Sequence, residues 1–325
     1  MTTRSTVSAL LISGTLAACG GPTPLPTRPA SETWGSVLPS EPAPVTLEAS
    51  GVRYEVCHKT VGPPEREAIE ALAARHGVVA SFGEDGQNFV AHVLGARCII
   101  SVSGRLSEDV LPSPQVEPEY VRKGLDEAQA SSLFETTATW TLGCFPDGDG
   151  AAVTAAVVGA EQLADVLAIH TGGFVYQPVM QRFHAPGSTS AWRKDRRFRI
   201  ERHVRIEVTG RSTEVRAVST VGLASFGFPE LAVYPIREAD VARVSDRLLV
   251  LTDAVLSEPV PGEGSSLNLG PVRLALASRA RYDVTLSKGL PRPSGDAPTL
   301  VIVDPKARLG DVSAMDLLVH RLTAL

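Results

Sequence analysis

Histidine, serine and glycine are the residue types here whose spacing would reveal catalytic or metal chemistry. The seven histidines are His58, His76, His92, His170, His184, His203 and His320. No two of them show the H-x-x-x-H spacing of a helical zinc pair, so each is interpreted as a structural histidine. The chain has no G-x-S-x-G or S-x-x-K motif of a serine nucleophile and no G-x-G-x-x-G loop. We therefore expect no metal ion and no cofactor.

One acidic turn has the beginning of a calcium-binding loop. Asp147-Gly148-Asp149-Gly150 matches its first residues, but Ala151 and Ala152 follow where the EF-hand pattern continues with a polar residue and glycine. A tight turn before a helix explains these residues better.

The densest basic cluster consists of Arg193, Lys194, Arg196, Arg197 and Arg199. It is a candidate surface for an anionic partner, such as lipid headgroups or an acidic protein. The alternative is a solvated loop and strand edge, where charges block edge-to-edge aggregation. We favour the solvated edge, because the cluster is short and the net charge of the chain is −5. The same acidic balance argues against a nucleic-acid partner.

The first twenty residues have the pattern of an export signal. Arg4 precedes an apolar run over 7–16, which is too short to span a bilayer and has the length of a signal-peptide core. The run ends in Leu16-Ala17-Ala18-Cys19-Gly20, which resembles the lipobox of bacterial lipoproteins. The resemblance implies removal of a signal peptide over 1–18 and attachment of diacylglycerol to the Cys19 sulfur. It also implies fatty acylation, for example with palmitate, of the new amino group.

Lipidation of this kind implies a stable membrane anchor, since several acyl chains hold where a single chain is marginal. In Gram-negative lipoproteins, Gly20 after the cysteine in place of aspartate implies the outer membrane. The segment 19–48 that follows contains seven prolines, Pro22, Pro24, Pro26, Pro29, Pro39, Pro42 and Pro44. Proline removes backbone donors and favours extended chain, so this segment is predicted to be a semi-rigid tether.

Three further cysteines, Cys57, Cys98 and Cys144, lie beyond the tether. Thiols outside the cytoplasm tend to pair, and an odd number leaves one over. The preferred pair is Cys57–Cys98, because both lie on predicted strands of one unit, and Cys57–Cys144 is the alternative. A catalytic thiol and buried, unreactive cysteines also remain open at this point.

The folded part is expected to begin near residue 49 and to comprise two α+β units, over 49–134 and 135–325. Hydrophobic periodicity of 2 predicts strands over 53–60, 78–82, 89–103, 137–144, 174–183, 204–208, 215–219, 272–276, 282–286 and 299–303. Periodicity of 3.6 predicts helices from Pro63-Pro64 to Gly77, over 119–134, 152–170 and 237–255, and after Asp311. Hairpins mixed with single helices indicate mostly antiparallel sheets. The successions that begin each unit also suggest two related β-α-β-β units.

The segment Thr220–Leu231, T-V-G-L-A-S-F-G-F-P-E-L, resembles a stretch of an uncharacterised bacterial domain family. The helix and Gly-Gly over 163–175 look similar to the same family. The resemblance implies a fold type and no particular activity.

These observations favour a membrane-anchored envelope lipoprotein that binds or assembles with an envelope protein and is not an enzyme. The alternative is an envelope hydrolase with a scattered active site. Such a site would show ionisable groups with perturbed pKa values converging on a deep pocket.

Overall fold

A computed structural model describes residues 51–59, 65–85, 88–146, 151–188, 198–210, 214–256, 260–269, 271–306, 309 and 312–323. The signal peptide over 1–18, Cys19 and the tether over 19–48 lie outside these residues. The described chain forms two sheets with helices packed on them. The predicted α+β class with mostly antiparallel sheets is confirmed.

Seven strands form the first sheet. They are β1 (Val52–His58), β2 (Ala80–Asp85), β3 (Asn88–Val93), β4 (Ala96–Gly104), β5 (Ala138–Pro146), β6 (Phe174–Gln177) and β7 (Arg182–His184). Their order across the sheet is β2-β3-β4-β5-β1-β6-β7, and every pair is antiparallel. β1 is therefore central, with β5 on one side and β6 on the other.

Helices cover both faces of this sheet. They are α1 (Arg66–Arg75), α2 (Glu117–Arg122), α3 (Glu127–Phe134) and α4 (Ala151–Thr171). Tyr54 and Val56 of β1 pack in one core with residues of α1 and α4, and Cys57 packs in another with residues of α2 and α3. Successive side chains of a strand point to opposite faces of the sheet. α1 and α4 therefore cover the face of Tyr54 and Val56, and α2 and α3 cover the face of Cys57.

The first sheet extends across the predicted unit boundary between residues 134 and 135. β5, α4, β6 and β7 complete the first sheet, and the second sheet begins only at residue 205. Both β-α-β-β successions occur in chain order, as β1-α1-β2-β3 and β5-α4-β6-β7. They take different places, however: the strand after the helix lies at the sheet edge in the first and beside β1 in the second.

Six strands form the second sheet. They are β8 (Arg205–Thr209), β9 (Val215–Val221), β10 (Glu230–Arg237), β11 (Ser266–Leu269), β12 (Val272–Ser278) and β13 (Thr299–Val303). Their order is β11-β12-β13-β10-β9-β8, and β10 with β13 is the parallel pair. Three more helices follow: α5 (Val241–Leu256), α6 (Arg279–Thr285) and α7 (Val312–Thr323). α5 and α7 contact each other and β10.

The strand predicted over 282–286 is wrong, because these residues belong to α6 and the bend after it. The alternation of Tyr282, Val284 and Leu286 has period 2, but burial follows the helix instead. Tyr282 and Thr285 are buried three residues apart, whereas Val284 is 65% exposed. Arg279 and Asp283 add an ion pair at helical i,i+4 spacing.

The central strand β10 was missed because it contains Pro235. Proline cannot donate to a sheet ladder and therefore argues against a central strand. In the structure the pairing of β10 with β9 shifts register between Val233 and Ile236, so the proline sits at a bulge where a regular donor is not needed.

α4 lies between the two sheets and is covered on most sides. Ala160, Leu163 and Leu167 pack in the core of the first sheet, whereas Val153 and Val157 pack in the core of the second. Residues Ala152–Thr171 are long and apolar enough to cross a membrane, but 72% of that stretch is buried in the protein. A helix that is apolar all round is what a position between two cores requires.

Candidate functional site

The cysteines pair differently from either prediction. Cys98 and Cys144 form a disulfide, with a Cα–Cα distance of 4.0 Å, and Cys57 is free and buried. Cys98 and Cys144 stand directly opposite each other on the neighbouring strands β4 and β5. Cys57 lies on the next strand, opposite Thr139, and so cannot reach either sulfur. Burial, followed by the charge of Glu55, raises the pKa of the Cys57 thiol to about 12. A thiol of this kind is a poor nucleophile.

The other sequence-predicted groups do not meet in one place. Arg193, Lys194, Arg196 and Arg197 lie outside the described residues, as does the Asp147–Gly150 turn, and Arg199 is exposed. Among the residues that the structure describes, no group of three or more His, Cys, Asp and Glu side chains could hold a metal ion.

A buried cluster of ionisable groups lies where α4 meets β1 and the short helix over 200–202. We call it the Glu161 cluster; its members are Tyr54, Glu161, Asp165, Arg202 and His203. Glu161 is 8% exposed and Asp165 is fully buried. The Asp165 carboxylate accepts a hydrogen bond from the backbone N–H of Gly187 at 2.9 Å. The Tyr54 hydroxyl is buried with no hydrogen-bond partner among the described residues.

The electrostatics of this cluster follow from its burial. Loss of solvation raises the pKa of the Glu161 carboxyl to about 7; the Arg202 guanidinium opposes this rise and Asp165 adds to it. Burial and the nearby Glu161 charge raise the pKa of the Tyr54 hydroxyl well above its ordinary value. Glu161 is thus the carboxyl that would gain and lose a proton near neutral pH.

His203 follows Arg202 in the chain and is held by aromatic contacts. Its ring stacks on Phe198 with centroids 5.3 Å apart and meets the Phe226 ring edge-on at 6.2 Å. Burial and the charge of Arg202 lower the pKa of His203 to about 3, so the ring is neutral. The Gln177 amide donates to the Arg202 carbonyl at 2.8 Å, which ties β6 to the same turn.

The Thr220–Leu231 segment, which carries the family resemblance, is a loop closed by one carboxylate. The buried Glu230 accepts from the Thr220 hydroxyl at 2.7 Å and from the backbone N–H of Gly222 and Ala224 at 2.8 and 3.2 Å. Gly222 has φ +126, and a Cβ there would lie 2.3 Å from the His203 carbonyl oxygen. These contacts explain the Thr, Gly and Glu of the motif by structure alone.

An apolar groove of about 330 Å³ lies between α4 and the turn that joins β3 to β4. We call it the Leu94 groove; its lining includes Val79, Leu94, Thr154, Val158 and Phe198. Val79 is 73% exposed and Leu94 is 45% exposed. Two large aliphatic side chains of the groove are therefore accessible to solvent.

Leu94 adopts a backbone conformation that leucine rarely takes. With Gly95 it forms the turn between β3 and β4, and their φ values are +47° and +83°. Asparagine followed by glycine is the usual pair in such a turn, and a leucine there costs about 1 kcal/mol. Strain on an exposed apolar side chain at a groove is a pointer to function.

Neither region was identified from the sequence, although signals were present. Glu161 and Asp165 are acidic residues at i,i+4 spacing in an otherwise apolar helix, a pattern that predicts a buried polar contact. The Leu94-Gly95 pair interrupts the predicted strand over 89–103, which the structure divides into a hairpin.

No family model, no curated protein and no solved structure matches this chain.

Proposed function

We propose that this protein is an exported lipoprotein of the bacterial envelope, anchored by lipid on Cys19, with a non-catalytic binding or assembly role. The lipobox pattern and the proline-rich segment after it support the anchor. The proposed location is the outer membrane of a Gram-negative cell.

The Cys98–Cys144 disulfide is the observation that carries the proposal. Disulfides persist in oxidising compartments such as the periplasm and are rare in the bacterial cytosol. The pair joins two strands inside the first sheet, so it belongs to the fold and not to an exposed redox site. This supports export independently of the first twenty residues.

Anchoring is tested by expressing the full chain and its Cys19→Ser variant in a Gram-negative host. The expected result is a native chain in the membrane fraction, with an N-terminal peptide whose mass includes the lipid, and a variant released from the membrane. A variant that stays in the membrane fraction in equal amount would contradict the anchor. Retention of the Cys98–Cys144 disulfide in both forms would still indicate export.

The Leu94 groove is the described surface best suited to binding. Its volume of about 330 Å³ fits a few side chains, which suggests a partner protein that inserts an apolar segment. Leu94→Asn suits the turn conformation and removes the aliphatic side chain, so it separates binding from folding. We expect this variant to be as stable as the native chain and to recover at least fivefold less partner after envelope cross-linking.

The matched control is Val250→Gln, which removes an exposed aliphatic side chain from α5, a helix that contributes no residue to the lining of the groove. Its partner recovery is expected to equal that of the native chain. If Leu94→Asn recovers as much partner as the native chain, the groove is excluded as the binding surface. If the native chain is recovered without any partner, the assembly role is excluded.

One observation favours the alternative, an envelope hydrolase. A carboxyl with a pKa near 7, as in Glu161, is suited to general acid–base catalysis. Such an enzyme would lose its activity on cell-wall material in the Glu161→Gln variant while the partner recovery described above stayed unchanged.

A further inference from the structure

A second cavity, of about 800 Å³, lies at one end of the second sheet and is lined by cations. We call it the basic cavity; its charged residues are Arg273, Asp304, Lys306 and Arg321. Arg273 comes from β12, Asp304 and Lys306 follow β13, and Arg321 lies in the last turns of α7. Three cations and one carboxylate leave an excess of two positive charges, whereas the whole chain carries −5.

The single carboxylate of this cavity is already engaged. Asp304 is 7% exposed; its Oδ2 accepts from the Arg321 guanidinium at 2.7 Å, and its Oδ1 accepts from the backbone N–H of Lys306 at 2.8 Å. Asp304 therefore fixes the turn after β13 and holds Arg321 in place. Because these groups are positioned in advance, a ligand would lose less entropy on binding them.

The remaining two cations have no carboxylate partner within the described part of the chain. The Arg273 guanidinium contacts only a neutral group, the Ser266 hydroxyl, at 3.2 Å, and Lys306 is exposed. Isolated surface cations are common and need no ligand. Here, however, separate elements bring them to one concave site beside a fixed arginine.

We propose that the basic cavity binds the phosphate group of a phosphate ester. The planar fork of an arginine matches two oxygens of a phosphate, and a lysine adds a compact charge. A volume of about 800 Å³ is within the range of small-molecule sites, and it leaves room for the organic part of the ester.

Two sources share this chemistry: a soluble phosphorylated compound and the headgroup of an anionic lipid. The inference does not depend on the Cys19 anchor or on the Leu94 groove, because none of their residues lines the basic cavity.

The test uses the full chain carrying Cys19→Ser and the double variant Arg273→Gln, Lys306→Gln in that background. Glycerol phosphate is titrated by calorimetry, and sedimentation with phosphatidylglycerol vesicles is compared with phosphatidylcholine vesicles. We expect saturable binding of at least one probe, weakened by salt and at least tenfold weaker in the double variant. Lys288→Gln, an exposed lysine beyond the other end of β12, is the matched control and should bind like the parent.

Binding of glycerol phosphate without vesicles would identify a soluble ester as the ligand class, and binding of anionic vesicles would identify a headgroup. The proposal is overturned if neither probe binds, or if Lys288→Gln loses as much affinity as the double variant. Circular dichroism of each variant distinguishes lost binding from lost folding.

Discussion

At the scale of single residues, Cys57 provides a direct test of the cysteine pairing. In the Cys19→Ser variant the only free thiol expected is Cys57, which is fully buried with a pKa of about 12. A thiol reagent should therefore react with no cysteine in the native state, with one in denaturant and with three after reduction. Ellman titration under the three conditions checks this order.

Replacing both Cys98 and Cys144 by serine removes a crosslink between positions 46 residues apart. Removing a crosslink that closes a loop of this length is expected to lower the free energy of unfolding by about 4 kcal/mol. Pairing of Cys57 in a peptide map of the native protein would contradict the assignment.

A second residue-scale prediction concerns the protonation of Glu161. Its folded pKa of about 7 lies above its ordinary value of 4.5, so the folded state holds the proton more tightly. The contribution of protonated Glu161 to the free energy of unfolding is fully present below about pH 4.5 and is lost as the pH rises through 7. Glu161→Gln should therefore match the native stability near pH 4 and exceed it by about 3 kcal/mol near pH 8.

The measurement is urea unfolding of both proteins across this pH range. Comparing the two proteins is necessary because His203 and His184, whose pKa values burial lowers to about 3 and about 4, act in the opposite direction. They reduce stability as the pH falls below 6.5, equally in both proteins. A difference that stays constant with pH would show that folding leaves the pKa of Glu161 at its ordinary value.

The cysteines also show what a sequence can specify at this scale. The expectation of one leftover thiol depends only on the odd count of three cysteines beyond Cys19, and in the structure that thiol is Cys57. The pairing was not predicted, because it depends on strand order. β4 and β5 are neighbours in space but are separated in the chain by α2 and α3.

At the scale of elements, the Glu230 loop is held by a few hydrogen bonds that can be removed together. Glu230→Ala would leave the buried N–H groups of Gly222 and Ala224 and the Thr220 hydroxyl without their acceptor. We expect a loss of about 3 kcal/mol in the free energy of unfolding, measured in urea. Glu201→Ala, at an exposed glutamate, should change it by less than about 0.5 kcal/mol. Equal effects of the two substitutions would mean that the loop is not held this way.

Elements with long, regular patterns were predicted well. α4 and α5 agree with the predicted helices over 152–170 and 237–255, and the hairpin of β8 and β9 is also confirmed. α5 and the hairpin each bury one consistent face, so their periodicity is unambiguous, whereas the length of its apolar run indicates a helix for α4. α6 and β10 were not predicted, because a seven-residue helix and a strand with a proline both carry misleading local signals.

At the scale of the whole molecule, α4 couples the two sheets. Val157 is 1% exposed and packs in the core of the second sheet, while its neighbour Ala160 packs in the first. Val157→Ala is expected to cost about 2 kcal/mol. Hydrogen exchange should show this loss in the amides of both β1 and β13, because opening of one sheet exposes the helix that the other needs.

Exchange that changes in one sheet alone would mean that the sheets unfold independently. The matched control is Val250→Gln on the exposed face of α5, which should alter protection in neither. The sequence could not give this arrangement. A boundary at residues 134 and 135 follows from chain order, whereas the membership of the two sheets follows from which strands pair.

The central position of β1 has a mechanical consequence. Tension applied through the segment before β1 would reach Val52, the first residue of a strand that is paired on both sides. Val52 is also opposite Cys144, and the disulfide of Cys144 joins β5 covalently to a third strand, β4. Force that entered at Val52 would therefore be shared among three neighbouring strands, β1, β5 and β4.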